Sequence, residues 1–195
     1  MKLVKKITVG IILYAILITI SILFLEKVIA LDISIMIAVN SLSNPYIDWF
    51  FILVTYAGST VFWVILIILF WIKNKKVSLY LLAVFLLDSL SLVLLKSFFF
   101  RPRPYDVLPV RLLNFDMELG SSFPSGHTER AFSGAVVLGS FYKKFRIPLL
   151  ALAVLVGISR IYIGVHYPLD TLIGSINGIL FGMLILNLPL KKLKI

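Results

Sequence analysis

Three short polar islands interrupt an otherwise apolar chain: Lys96 with Arg103-Pro104, Pro124-Ser125-Gly126-His127, and Ser159-Arg160 followed by His166 and Asp170. They hold both histidines of the 195-residue sequence and cluster its cations at what should be the ends of hydrophobic helices. A chain that is 61% hydrophobic has no packing reason to place so many ionisable groups there. Cations for oxyanions, one histidine to attack and another to carry a proton together make a set suited to chemistry on an anion.

In the first island Pro102 and Pro104 enforce an extended path that should set Arg101 and Arg103 on one side of the chain. Arginine offers planar bidentate donors to phosphate oxygens and lysine a compact point charge. Lys or Arg at a helix end is also common as a snorkelling group, so this island alone is not decisive. The second island should begin a helix, whose N-terminus presents free N–H groups and a positive dipole end to an anion. Ser125 and Gly126 allow close approach there, and His127 could protonate a leaving oxygen, although a plain N-cap with a turn fits Ser and Gly as well. In the third island Pro168 suits the first turn of a helix and places Asp170 just inside it. A carboxylate at that point could accept the N–H of one His166 nitrogen and leave the other free as a nucleophile. The competing reading is a histidine that merely caps a helix.

The elements that must position these islands are membrane helices. A span needs about 20 mostly apolar residues, and hydropathy suggests six: Ile7 to Leu25, Ile47 to Ile72, Val77 to Leu95, His127 to Tyr142, Ile147 to Tyr162 and Leu169 to Leu190. Leu31 to Ser43 reads as a short interfacial helix ending at Asn44-Pro45. The expected fold is thus all-α, a polytopic six-helix bundle forming a single domain over 1–195. The long connection from Phe100 to Phe123 is an extracytoplasmic loop suited to gating substrate. Basic clusters at Lys2, Lys5 and Lys6, at Lys73, Lys75 and Lys76, at Lys143, Lys144 and Arg146, and at Lys191, Lys192 and Lys194 place both termini in the cytoplasm by the positive-inside rule. All three islands then face out of the cell. Val28-Ile29-Ala30 is a weak signal-cleavage match, but the apolar stretch before it is long, which favours an uncleaved first span.

Mean hydropathy of +1.06 leaves little for a soluble domain. The net charge of +10 sits at segment ends and forms no basic stripe for nucleic acid. The absence of cysteine excludes disulfides, thiolate metal sites and cysteine nucleophiles. Asp88, mid-span, should make a structural polar contact with Ser89 or Ser91. Glu129 and Arg130 follow His127 where small residues would pack more easily, and one of them could touch a headgroup or the neighbouring loop. The three tryptophans read as interfacial belt or packing.

Taken together, the islands make the chain similar to the type-2 phosphatidic acid phosphatase superfamily, whose signature is Lys-x6-Arg-Pro, Pro-Ser-Gly-His and Ser-Arg-x5-His-x3-Asp. Lys96 to Arg103-Pro104, Pro124 to His127 and Ser159 to Asp170 match all three segments in order, and the likeness runs from the third expected helix onward. The resemblance implies that His166 attacks phosphorus to form a phosphohistidine, that Asp170 orients it, and that His127 protonates the leaving oxygen and later activates water. It implies that Lys96, Arg103, Ser125, Gly126 and Arg160 hold the phosphoryl oxygens; three motif cations can neutralise the spreading charge without a metal, so neither metal nor cofactor is expected. Arg101, Pro104 and Ser159 are further candidates, Arg101 as an extra cation suited to a diphosphate. The expected substrate is a membrane lipid phosphate, first a polyprenyl diphosphate such as an undecaprenyl or dolichyl carrier. Phosphatidylglycerophosphate, phosphatidic acid and diacylglycerol diphosphate come next. A phosphotransferase would use the same residues; a non-catalytic lipid-binding or transport protein would be expected to lack the nucleophile or the acid. The residues carry no signal for an oligomeric state.

Overall fold

The computed structural model describes residues 2–23, 25–113 and 118–188. Its α-helices are α1 (Lys2–Leu23), α2 (Leu25–Asn40), α3 (Pro45–Thr55), α4 (Thr60–Lys73), α5 (Lys75–Phe98), α6 (Pro104–Val107), α7 (Gly126–Phe141), α8 (Arg146–Tyr162) and α9 (Pro168–Leu186). There is no strand among the described residues, as an apolar chain without alternating patterning requires. Local chemistry sets the starts. Asn44 accepts from Tyr46 N–H ahead of Pro45, Ser59 accepts from Phe62 N–H, and Asn74 accepts from Val77 N–H.

By length and composition three stretches among the described residues can cross a membrane: α5, Lys143–Tyr162 and α9. Two bent pairs add a crossing each if either counts as one broken span, Ile7–Ile20 with Leu25–Asn40 at 97° and Pro45–Gly58 with Thr60–Lys73 at 55°. On this measure three to five of the six expected crossings qualify among the described residues. The fourth expected span is a 16-residue helix carrying His127, Glu129 and Arg130, too short and too polar to qualify. The second is broken at Ser59, because the turn before it packs on the start of α7: a Cβ on Gly58 would lie 2.5 Å from His127 O. Where a short helix was expected over Leu31 to Ser43, α2 runs from Leu25 to Asn40. The expected end of the last span at Leu190 and the cluster Lys191, Lys192 and Lys194 lie outside the described residues.

The helices approach closely where side chains are small, which is how association proceeds when the surroundings are as apolar as the side chains themselves. Gly174, Gly178 and Gly182 form a stripe on α9 against α7. A Cβ on Gly174 would lie 2.6 Å from Ser125 O, one on Gly178 2.2 Å from Glu129 O, and one on Gly182 2.8 Å from Val136 Cβ. Further from the polar islands, Trp63, Tyr80, Leu81, Val84, Val137, Leu138 and Ile185 join α4, α5, α7 and α9 in one apolar core. Lys75 opens α5 and Lys96 lies in its last turn, so the basic α4–α5 junction and the first island are about 30 Å apart at 1.5 Å per residue. The C-terminal ends of α5 and α8 and the N-terminal ends of α7 and α9 meet at the far end from that junction.

Asp88 makes a polar contact, but with a different partner from the one expected. Ser133 on α7 donates to it at 2.6 Å, while Ser89 donates to Phe85 O within its own helix. A serine three or four residues from a carbonyl on its own helix satisfies itself locally, whereas α7 brings a hydroxyl across the interface. Asn177 on α9 likewise donates to Glu129 at 3.1 Å.

Candidate active site

The third island turns sharply between α8 and α9. Gly164, at φ +95, passes so close to the long loop that a Cβ would meet Arg111 O at 2.2 Å. The His166 N–H returns to Arg160 O at 3.2 Å, so the turn packs the imidazole beneath the end of α8, where it is 1% exposed. Asp170 sits in the first turn of α9, accepts the Tyr167 N–H at 3.0 Å and places Oδ2 3.5 Å from His166 Nδ1. The second island is fastened to the third through Ser125 N–H, which donates to Asp170 O at 3.1 Å. That bond and the glycine stripe set the start of α7, with His127, beside the start of α9.

The three motif cations converge on one place. Arg103 and Arg160 are almost wholly buried, at 2% and 1% exposure. Arg103 is braced by the carbonyls of Gly120, Ser121 and Val165 at 3.2 to 3.3 Å, and Arg160 donates to Thr55 Oγ1 at 2.8 Å. The Lys96 ammonium donates to Ser121 O. Lys96, Arg103, Gly126, His127 and Arg130 line a cavity of about 330 Å³.

At the focus of these groups lies a carboxylate that the motifs do not include. Glu118, from the long loop, contacts Arg103 Nη1 through Oε2 at 2.9 Å and bonds Arg160 Nη2 through Oε1. Its Oε1 is 3.5 Å from His127 Nδ1 and its Oε2 is 3.5 Å from His166 Nε2. Burial works to raise the Glu118 carboxyl, but the Arg160 guanidinium and then His166 outweigh it and hold it well below the usual carboxylate range. The carboxylate thus occupies an anion position with one histidine facing each oxygen. Neither His166 nitrogen has a partner in hydrogen-bond geometry; Nε2 lies 3.5 Å from Glu118 and Nδ1 3.5 Å from Asp170.

Ser125 is fully buried and receives the Thr128 hydroxyl at 3.0 Å; Gly126 lines the cavity, packed on Leu92. Pro104 opens the short α6, and the Ser159 hydroxyl donates to Val156 O inside α8, so neither presents a polar side-chain group to the anion position. Arg101 departs from the expected path beside Arg103. It donates to Asp170 Oδ1 at 2.8 Å and to Asp32, with its guanidinium 3.7 Å from the Tyr167 ring centroid. Two carboxylates there outcompete the open cavity for its fork. Asp32 and Glu118 belong to no motif and carry no signal in the sequence, whereas Arg130, one of the pair expected to touch a headgroup or the neighbouring loop, lies in the cavity wall. Among the described residues no group of three or more His, Cys, Asp or Glu side chains is arranged to hold a metal ion.

A family model described as the PAP2 superfamily matches residues 76–194. The chain is 32% identical over 123 residues to the bacitracin transport permease protein BcrC of Bacillus licheniformis, covering 61% of each chain. It is 35% identical over 86 residues to the undecaprenyl-diphosphatase BcrC of Bacillus subtilis, covering 44% of each. The match therefore spans less than two thirds of the length of these curated relatives. Among solved structures, the PAP2 type phosphatidylglycerolphosphate phosphatase of Bacillus subtilis superposes with a TM-score of 0.78 at 28% identity, over 95% of this chain and 98% of that one.

Proposed function

The chain belongs to the PAP2 superfamily, and on that basis we propose that it is a membrane lipid phosphatase that hydrolyses a lipid phosphate or diphosphate through a phosphohistidine. The observation that carries this reading is the Glu118 carboxylate held between Arg103, Arg160 and the two histidines. It stands in for two oxygens of a phosphoryl group. In that position Nε2 of His166 faces phosphorus, while His127 faces the oxygen that leaves.

Phosphoryl transfer needs positioning and neutralisation of spreading charge more than elaborate covalent chemistry. Arg103 and Arg160, buried and braced by carbonyls and a hydroxyl, supply fixed donors that need no reorganisation as charge develops. Lys96 and the N-terminus of α7 supply further positive potential at the cavity. His166 Nε2 bonds to phosphorus as the bond to the leaving oxygen breaks, and His127 gives that oxygen a proton. Water, deprotonated by His127, then attacks the phosphohistidine and releases phosphate, returning the proton to His127. Asp170 holds Nδ1 so that the attacking nitrogen carries the lone pair. The clamp supplies charge neutralisation without a metal.

The substrate reading is a polyprenyl diphosphate such as the undecaprenyl carrier, supported by the similarity to a named undecaprenyl-diphosphatase. Arg130 in the cavity wall adds a cation beyond the motif set, suited to the second phosphate of a diphosphate. The similarity to a phosphatidylglycerolphosphate phosphatase favours a glycerolipid as the second reading. The bundle is read as six membrane-crossing segments, with α7 held inside by its neighbours despite its length, and with α2 lying along the interface. The basic junction at Lys73, Lys75 and Lys76 marks the cytoplasmic side, and the site opens outward, where a headgroup enters while its tails remain in lipid.

The test is phosphate release by the detergent-purified protein from undecaprenyl diphosphate, phosphatidylglycerophosphate and phosphatidic acid, side by side in excess EDTA. Preference for the diphosphate with full activity in EDTA is expected. Better turnover of the glycerolipids moves the substrate assignment, and turnover of none contradicts the enzymatic reading.

A further inference from the structure

The Asp170–His166 pair continues outward into a second ion pair from a helix that precedes the matched family region. Asp32, on α2, is 5% exposed, and both of its oxygens are used. Oδ1 accepts the Leu169 N–H at 2.7 Å, and Oδ2 accepts Arg101 Nη2. The other arm of the Arg101 fork, Nη1, donates to Asp170 Oδ1 at 2.8 Å. Asp170 Oδ2 is thereby left for the Tyr167 N–H and for His166 Nδ1. The guanidinium plane lies on the Tyr167 ring, so that its face as well as its edge is fixed.

From this geometry we infer that Arg101 and Asp32 are positioning residues for the catalytic pair, with Arg101 selecting which Asp170 oxygen faces His166 and Asp32 holding the Arg101 fork away from substrate phosphate. The inference rests on the reading of His166 as the phosphoryl acceptor. A carboxylate that is 0% exposed and bonded only through one oxygen could rotate or draw the proton from Nδ1. The short contact to Arg101 fixes its rotation and offsets its charge, so it remains an acceptor. Arg101 without Asp32 would be a half-buried cation one carboxylate short, with one arm of its fork free to turn toward a substrate phosphate. Asp32 prevents this, and its bond to Leu169 N–H ties the start of α9 to α2 as well. Residue 32 lies before residues 76–194, where the family model matches, so the N-terminal helices contribute to the site as well as to the membrane body.

The test is steady-state kinetics of Asp32→Asn, Arg101→Gln and the double variant, with Asp32→Glu and Arg101→Lys as conservative partners and His166→Ala as control. All are scaled to the folded fraction seen by size-exclusion chromatography. Loss of kcat by about tenfold or more with KM within about twofold is expected, in the range by which partners one step removed from reacting groups act. The double variant should be little worse than Arg101→Gln, because both substitutions break the same chain. Lysine reaches one carboxylate rather than two, so Arg101→Lys should recover only part of kcat. If Asn or Gln prevents folding, Asp32→Glu and Arg101→Lys decide. Unchanged kcat in the folded variants, or a rise in KM alone, overturns the positioning role while His166→Ala remains inactive. An active His166→Ala enzyme would instead overturn the phosphohistidine reading on which it rests.

Discussion

Oε2 of Glu118 lies 3.5 Å from Nε2 of His166, the ring nitrogen that faces away from Asp170. On the proposed reading the chain's own carboxylate sits where His166 would meet phosphorus, and a substrate would have to displace it. The cost of that displacement appears in apparent affinity rather than in the chemical step.

Glu118→Gln keeps the size of the side chain and removes the charge that the arginines hold. Its apparent KM for lipid phosphate, and the inhibition constant for orthovanadate, should fall by about three- to tenfold, because a site occupied by its own anion binds more weakly in proportion to the free fraction. The kcat should stay within about twofold of the parent on that account. A weaker affinity for both would show that Glu118 helps hold substrate.

His166→Ala should abolish turnover while leaving binding of a substrate analogue largely intact, since Lys96, Arg103 and Arg160 remain. Asp170→Asn should slow the reaction less completely, because it perturbs tautomer and orientation and leaves the nucleophile in place. Equilibrium binding of a non-hydrolysable lipid phosphonate, measured beside single-turnover rates, separates the two effects. Loss of binding in His166→Ala would contradict the division of labour between clamp and nucleophile.

The pH profile of kcat/KM should be bell-shaped, because His166 must be neutral to attack and His127 protonated to donate. Glu118 belongs to neither limb. A carboxyl held below its ordinary value keeps its charge as pH falls and loses its ion pairs only when pH passes through that depressed value. The acid limb above about pH 5, well clear of the ordinary carboxylate range, therefore reports a histidine. Glu118→Gln should leave two limbs standing; disappearance of the acid limb in that variant would assign it to Glu118.

Gly178 is the tightest point of the α7–α9 contact, with a Cβ position only 2.2 Å from Glu129 O. Gly178→Ala should destabilise the bundle by about 1–3 kcal/mol, the usual range for overpacking. It should also lower activity by pushing His127 away from His166. A thermal midpoint and kcat equal to the parent's would show that the helices have room to part.

The placement of much of the candidate site was legible because its residues lie in short motifs whose backbone is nearly forced. Pro168 opening α9 puts Asp170 one turn from His166, and Ser125-Gly126 opening α7 puts His127 at a helix start. Asp32 and Glu118 were not legible, since each reaches the site through tertiary packing of a segment without a local signal. Arg101 was visible as a cation, but each of its two partners lay 69 residues away, and the extended Pro102 path alone could not show that two carboxylates would claim its fork. Length and composition alone qualify three to five of the six expected spans among the described residues, because α7 lies within the bundle against the α9 glycines and need not be apolar over its whole length. The same enclosure lets Glu129 find Asn177 and Asp88 find Ser133.

Rapid quenching of the enzyme with lipid diphosphate labelled at its terminal phosphorus, followed by mapping of the bound phosphate under alkaline conditions, tests the proposed phosphohistidine. Label is expected on His166 alone, at Nε2, appearing and decaying at rates that support kcat. Label on His127, or complete turnover with no covalently bound phosphate at any time, would contradict it.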